Sequence, residues 1–203
     1  SAVREGWKEQ FGPSVDLRSN RFVWLGAKMD LPGFYYSFRE GVGGIWNMHA
    51  YQYTPGESTI VIETTNDAFL ASGLGIQDEV ATARLVEKIF ADDLNGARVL
   101  TNRSFWRQFP TITCRTWRHR DGDTPFVLMG DAAHTAHFSI GSGTKLAVED
   151  AIDLAQAFGQ ARGVADRDAV LQHYEDRRSV EVLKIQNAAR NSTEWFENVP
   201  RYT

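Results

Sequence analysis

The chain has 203 residues, 42% hydrophobic and 24% charged, which is an ordinary globular balance with room for one domain and part of another. A formal net charge of −4 argues against a general nucleic-acid binder, whose phosphate contacts need a basic field, and a single cysteine, Cys114, excludes an internal disulfide or a cysteine-rich metal site. No apolar run approaches the roughly 20 residues of a membrane span, and Ser1-Ala2-Val3-Arg4-Glu5 has no apolar signal core, so the expectation is a reducing, cytoplasmic setting without membrane or nucleic-acid partners. The aromatic share of 12% reads as a core rich in large rings or as a pocket for a flat ligand.

In chain order, the first third reads as strands. Arg21–Met29, Phe34–Arg39, Ile45–Tyr53 and Ser58–Glu63 are separated by Pro32-Gly33, Gly41–Gly44 and Pro55-Gly56. Short strands with tight turns predict an antiparallel meander. On the third strand Ile45, Asn47, His49, Tyr51 and Tyr53 share one face, and Trp46, Met48, Ala50 and Gln52 the other. Neither face is clearly polar, so the sheet is expected to be covered on one side and to bind something on the other. One face of this strand, with Trp46 on one side or His49, Tyr51 and Tyr53 on the other, is a candidate wall of a substrate pocket.

From Gln77 the period becomes helical. Val80, Ala83, Leu85, Val86, Ile89 and Phe90 form the predicted face, Asp78 and Glu79 sit in the first turn, and Asn95-Gly96 ends it. Val99–Leu100 and Thr111–His119 read as strands, Asp121-Gly122 as a turn, and Phe126–Met129 as a short buried strand. A helix is predicted from Thr144 to about Phe158, with Ala147, Ala151, Leu154, Ala155 and Phe158 inward and Glu149, Asp153 and Gln156 outward. Gly159 to Gly163 breaks it. Asp166 is the expected cap of a last long helix. That helix is expected to turn Leu171, Tyr174, Val182 and Ile185 inward and Glu175, Asp176, Arg177, Arg178, Glu181 and Lys184 outward. Strands first and helices later make an α+β pattern.

The chemically informative stretch is Phe126–Ala151, FVLMGDAAHTAHFSIGSGTKLAVEDA. A carboxylate after a strand, at Asp131, is placed to accept hydrogen bonds from sugar-like hydroxyls. Gly141 and Gly143 allow close backbone approach to a ligand. The helix opening near Thr144 presents free N–H groups and partial positive charge. Asp131, His134 and His137 also have atoms that could ligate a metal, but their placement in a loop argues for no metal site. Arg115, Arg118, His119 and Arg120 around Trp117 read as a solvated strand edge, or as a basic patch for phosphates or a partner domain. Cys114 reads as a small buried apolar residue.

Gly130-Asp131-Ala132-Ala133-His134, Gly141-x-Gly143, Ala147 and Asp150-Ala151 together resemble the second FAD-binding signature of the single-component flavoprotein aromatic hydroxylases, the p-hydroxybenzoate hydroxylase-like group. The resemblance implies that Asp131, with Gly130, holds the ribityl chain of FAD. It implies that Gly141, Gly143, Thr144 and Lys145 lie against the pyrimidine side of the flavin. It implies a structural role for His134. Phe138 stands where the family commonly has Pro, and Lys145 where it commonly has Asn. HTAHFSIGSGTK, RFVWLGA and His49–Tyr51 resemble the branch that hydroxylates aromatic acyl-CoA thioesters such as salicylyl-CoA and 2-aminobenzoyl-CoA.

Ser1-Ala2-Val3-Arg4 resembles the tail of the family's Asp-Gly-x-x-Ser-x-x-Arg element, and no Gly-x-Gly-x-x-Gly turn follows a strand here. The expectation is therefore the C-terminal portion of such an enzyme, with the nucleotide clamp on a missing N-terminal part. Residues 1–123 would be an antiparallel substrate-binding sheet domain packed with helices. Residues 124–203 would be the C-terminal strand-loop-helix part of the FAD-binding domain. The intact enzyme would use NAD(P)H and O2 to hydroxylate a small aromatic substrate, CoA-linked if the branch resemblance holds. A flavin-dependent halogenase or reductase and a non-catalytic ligand-binding domain are the alternatives. The residues identify no catalytic acid or base.

Overall fold

The computed structural model describes residues 1–160 and 167–202. It divides into two compact units, Ser1–Leu17 with Pro110–Phe196, and Arg18–Phe109 with Glu197–Thr203. The expected single cut after residue 123 therefore does not describe the packing. The chain leaves the first unit within strand β1 (Pro13–Ala27) and returns within β6 (Arg107–Cys114), so its first 17 residues pack with its second half. The class is the expected α+β, an antiparallel sheet with helices.

In the second unit β2 (Tyr35–Gly41), β3 (Gly44–Thr54) and β4 (Glu57–Thr64) form a meander. The first strand is not its neighbour in sequence order. β1 pairs with β4, Val23 opposite Ile62, giving the order β2-β3-β4-β1-β5, with β5 at Val99–Leu100. The stretch from Lys28 to Phe34 is too long for a tight hairpin, so β1 takes the free edge of β4 instead.

The register settles which face is core. Val23, Leu25 and Ala27 of β1, Trp46, Met48 and Ala50 of β3, and Ile60 and Ile62 of β4 are all buried on one side. Helices α3 (Asn66–Ala71), α4 (Glu79–Ile89) and α5 (Ala91–Leu94) supply Ala68, Phe69, Val86, Phe90 and Leu94 to the same cluster. Asp78, expected in the first turn, is instead the N-cap of α4, its side chain accepting from the Ala81 N–H at 3.0 Å. Val80, expected on the inner face, is 60% exposed. Its place is taken by Thr82, whose Oγ1 accepts from Trp106 Nε1 at 2.9 Å. A hydropathy pattern cannot find a buried hydroxyl that is satisfied by a ring N–H.

The first unit opens with two short helices, α1 (Ala2–Gly6) and α2 (Lys8–Phe11), where no element was expected. The predicted strand Thr111–His119 is broken. β6 ends at Cys114, where the Arg115 N–H turns to the Phe11 carbonyl at 2.9 Å, and β7 (Arg118–Asp121) then pairs only with β8 (Thr124–Val127). The expected buried strand Phe126–Met129 is thus the end of a two-stranded hairpin running into a loop. Its apolar residues pack in a helical core instead, with Phe11, Trp117, Leu128, Leu146, Tyr174 and Val182 at the centre. Helices α6 (Gly143–Gly159) and α7 (Arg167–Glu197) complete the unit. The expected break at Gly163 and the cap at Asp166 lie outside the described residues. Among the described residues no helix is long and apolar enough to cross a membrane.

Candidate functional site

The loop from Gly130 to Ser142 joins β8 to α6. Gly130 opens a 3-10 turn (Gly130–Ala132) at φ +54°, in the left-handed region, and a Cβ built there would meet the Ala147 Cβ of α6 at 3.0 Å. Glycine is needed for both reasons. Gly130→Ala is expected to cost roughly 1–3 kcal/mol, read as a lower urea midpoint. Gly141 also has a positive φ, +62°, but nothing lies within 4 Å of an added Cβ. Gly141→Ala should cost only the strain, about 1 kcal/mol.

Asp150 holds this loop. Its carboxylate is fully buried and accepts from the Gly130 N–H at 2.9 Å and from Arg178 Nε at 2.9 Å. His134 Nε2 lies 2.7 Å from the same Oδ2 that takes the Gly130 N–H. Burial alone would raise this carboxyl, but the hydrogen bonds from His134, Gly130 and Arg178 outweigh it and hold it below the usual range. Arg4 clamps the loop from the other end of the sequence, its guanidinium donating to the Asp131 carbonyl at 3.2 Å and the Ala132 carbonyl at 3.0 Å. Both anchors seize backbone or His134 and leave the Asp131 side chain alone. Asp131 is exposed, and its carboxylate has no partner among the described residues.

Two helix faces differ from expectation. The buried stripe of α6 is Leu146, Asp150, Asp153 and Ala157, whereas Ala151, Ala155 and Phe158 are exposed. On α7, Arg178 is buried in phase with Leu171, Tyr174 and Val182, and Glu175 turns in to accept from the Trp117 N–H at 3.0 Å. The reason is common to both. Charges that meet partners inside the fold read as solvent-facing by polarity, which turns the predicted α6 stripe away from the true one, whereas on α7 the expected Leu171, Tyr174 and Val182 are buried and Arg178 joins them.

At its start α6 presents the expected free end. Ser142 is the N-cap residue but makes no capping hydrogen bond, and its buried Oγ has no partner among the described residues. Gly143, Thr144 and Lys145 form the first turn. Thr144 and Lys145 are exposed, and an added Cβ at Gly143 would meet nothing within 4 Å. Lys145 is paired with Glu149 one turn on. An uncapped end of a 17-residue helix beside open backbone suits a flat group bearing negative charge. A flavin ring, with a sugar-alcohol chain reaching an exposed carboxylate, fits these residues.

The other candidates resolve into structure. His137 caps the 3-10 turn Phe138–Ile140 through Nδ1, which accepts from the Ser139 N–H at 3.3 Å. With His134 committed to Asp150, the Asp131–His134–His137 spacing does not converge on one point, and no group of three such side chains suited to a metal occurs among the described residues. The basic cluster is largely engaged. Arg118 pairs with Glu175 at 3.1 Å, Arg120 with Asp168 at 3.0 Å, and Arg115 donates to the Glu9 carbonyl at 2.9 Å, which favours the strand-edge reading. Cys114 is half-buried, with its thiol pushed up by burial. Sequence reasoning missed Arg4 as a clamp and Arg178 as a core residue. The helical phase of Arg178 with Leu171 and Tyr174 was the available signal.

Residues 61–189, from β4 into α7, match the family described as the FAD binding domain, and the Gly130–Lys145 loop lies inside that match. This chain belongs to the FAD binding domain family. The chain is 38% identical over 212 residues to salicyloyl-CoA 5-hydroxylase of a Streptomyces species, covering 100% of this chain and 40% of the relative. It is 36% identical to a 3-hydroxy-4-methyl-anthranilyl-[aryl-carrier protein] 5-monooxygenase of Streptosporangium sibiricum, covering 98% of this chain and 51% of the relative. The fold resembles that of Klebsiella pneumoniae HpxO, solved with FAD and uric acid, at a TM-score of 0.68 and 20% identity over 93% of this chain and 48% of the other. The FAD binding domain chain thus spans about half the length, or less, of the relatives it matches.

Proposed function

We propose that this chain is part of a FAD-dependent monooxygenase that hydroxylates an aromatic substrate, and that it holds the ribityl and pyrimidine portions of the flavin. One observation carries the reading. A loop pinned from behind by Arg4 and Asp150 leaves the Asp131 carboxylate exposed beside an uncapped helix N-terminus. In this reading Asp131 accepts hydrogen bonds from ribityl hydroxyls, Gly130 sets its direction, and the N–H groups at Gly143, Thr144 and Lys145 face the pyrimidine edge, with Gly141 keeping the approach open. FAD, when bound, supplies the redox chemistry that activates O2, with NAD(P)H as the reductant. The ADP half of FAD would be held by residues outside this sequence. The names of the relatives favour an aromatic acid activated as a CoA or carrier-protein thioester. The sheet unit would hold that substrate, and a cytoplasmic setting suits its cosubstrates.

The test is Asp131→Ala in the complete protein. Loss of a carboxylate hydrogen-bonded to ligand hydroxyls should weaken FAD binding roughly 10- to 100-fold. Because the side chain is exposed, the urea midpoint of the flavin-free protein should not move. Unchanged FAD affinity would refute the assignment.

A further inference from the structure

The sheet face opposite the core carries a polar group that the packing does not use up. Asn47 of β3 is 2% exposed, and its Oδ1 has no partner among the described residues. It stands opposite Glu63 of β4, which is itself fully buried and receives Asn20 Nδ2 on Oε1 at 2.8 Å. His49, two residues along β3 on the same face, places Nε2 3.2 Å from Glu63 Oε2. The Tyr36 ring meets the His49 ring edge-on with centroids 4.9 Å apart, and Phe34 stacks on Tyr51 at 5.6 Å. This face is therefore a bank of aromatic rings ending in a buried Asn–Glu–His group. Glu63 is satisfied on one side by Asn20 and flanked on the other by His49. Neither Glu63 Oε2, beside His49, nor the Asn47 Oδ1 makes a hydrogen bond among the described residues, and of the two only the Asn47 oxygen has no ion-pairing neighbour. Buried polar atoms are rarely left without a hydrogen-bond partner, so an orphaned one calls for an explanation.

We infer that Asn47 is a specificity-determining residue that reads a polar substituent, a hydroxyl or amino group, on the ring of the aromatic substrate. The inference rests on the function proposed above, and it adds which feature of the ring is selected and by what. Asn20, Glu63 and His49 hold the strand face around Asn47 and keep it dry. A ring carrying the substituent completes the Asn47 hydrogen bond. A ring without it leaves a desolvated acceptor unpaired, which is how sites reject analogues lacking one hydroxyl far better than analogues lacking one methylene.

The experiment uses the FAD-loaded complete protein and two probes that differ by one ring hydroxyl, salicyloyl-CoA and benzoyl-CoA, with binding followed by calorimetry. Wild type should bind the hydroxylated probe tighter, by roughly 10- to 100-fold. Two variants of nearly equal shape, both suited to a strand, separate the hydrogen bond from packing: Asn47→Val and Asn47→Thr. The valine variant should lose the preference by weakening salicyloyl-CoA while holding or improving benzoyl-CoA. The threonine variant should keep part of it. A purely structural role for Asn47 would weaken both probes together in both variants. Equal affinity of wild type for the two probes overturns the inference while leaving the oxygenase reading intact, and so does a preference that survives in the valine variant. If neither probe binds although FAD does, the acyl-CoA reading itself fails and this inference falls with it.

Discussion

Asp150→Ala should lower the stability of the protein by about 3 kcal/mol, measured as a fall in the urea midpoint with an unchanged slope. Removing this carboxylate strands three groups at once: the Gly130 N–H, the His134 ring and the Arg178 guanidinium. Breaking a buried ion pair from one side usually costs roughly 3–5 kcal/mol, because the remaining charge stays desolvated. The lower end applies here, since Arg178 keeps Glu149 at 3.2 Å. Asp150→Asn retains an acceptor for Gly130 and should cost less, about 1–2 kcal/mol. The pH dependence follows from the same hydrogen bonds. The carboxyl is held below its ordinary value in the folded protein, so the unfolded chain takes up this proton first as pH falls. Its contribution to stability is complete above the unfolded value of about 3.9 and is lost as pH drops through the lower folded value. Wild type should therefore lose ground on Asp150→Ala below about pH 4, and the two midpoints should converge there. A gap that stays constant down to pH 2 would mean that Asp150 acts through packing alone.

Trp46→Ala should be as damaging, at about 3–5 kcal/mol, for a different reason. Trp46 is wholly buried on the core face of β3, its Nε1 donates to the Val42 carbonyl at 3.0 Å, and its ring meets Trp106 edge-on at 5.9 Å. Its site is shaped from several sides. A Cβ added at Gly41 would come within 2.7 Å of the Trp46 ring, so the neighbouring strand has already given up a side chain to admit the indole. Such a space cannot collapse after truncation, which places the cost at the cavity-forming end of the range. Trp46→Phe keeps most of the contact area and should lose only about 1–2 kcal/mol. The midpoint of urea unfolding separates the two. Equal, small losses would show that the sheet closes over the gap.

Trp46 and Asp150 also mark the boundary between what the sequence and the fold each decided. By itself the sequence determined the four strands and the turns between them, because alternation, β-branched runs and Gly or Pro punctuation act locally. It determined the helix that opens at Asp78-Glu79 and the helix that opens near Thr144. It also determined the Gly130–Lys145 signature, because ligand-binding backbone demands particular residues at particular steps whatever surrounds them. Only the tertiary structure decided that β1 pairs with β4, that Trp46 faces the core while Asn47 and His49 face away, and that residues 1–17 pack with the second half of the chain. It alone turned Asp150, Asp153 and Arg178 inward, against their polarity, by bringing partners from distant segments to each other. The physical reason is that a charge is costly to bury alone and cheap to bury satisfied, and whether it will be satisfied depends on residues far away in the chain, such as Arg178 for Asp150 and Asp131 for Arg4.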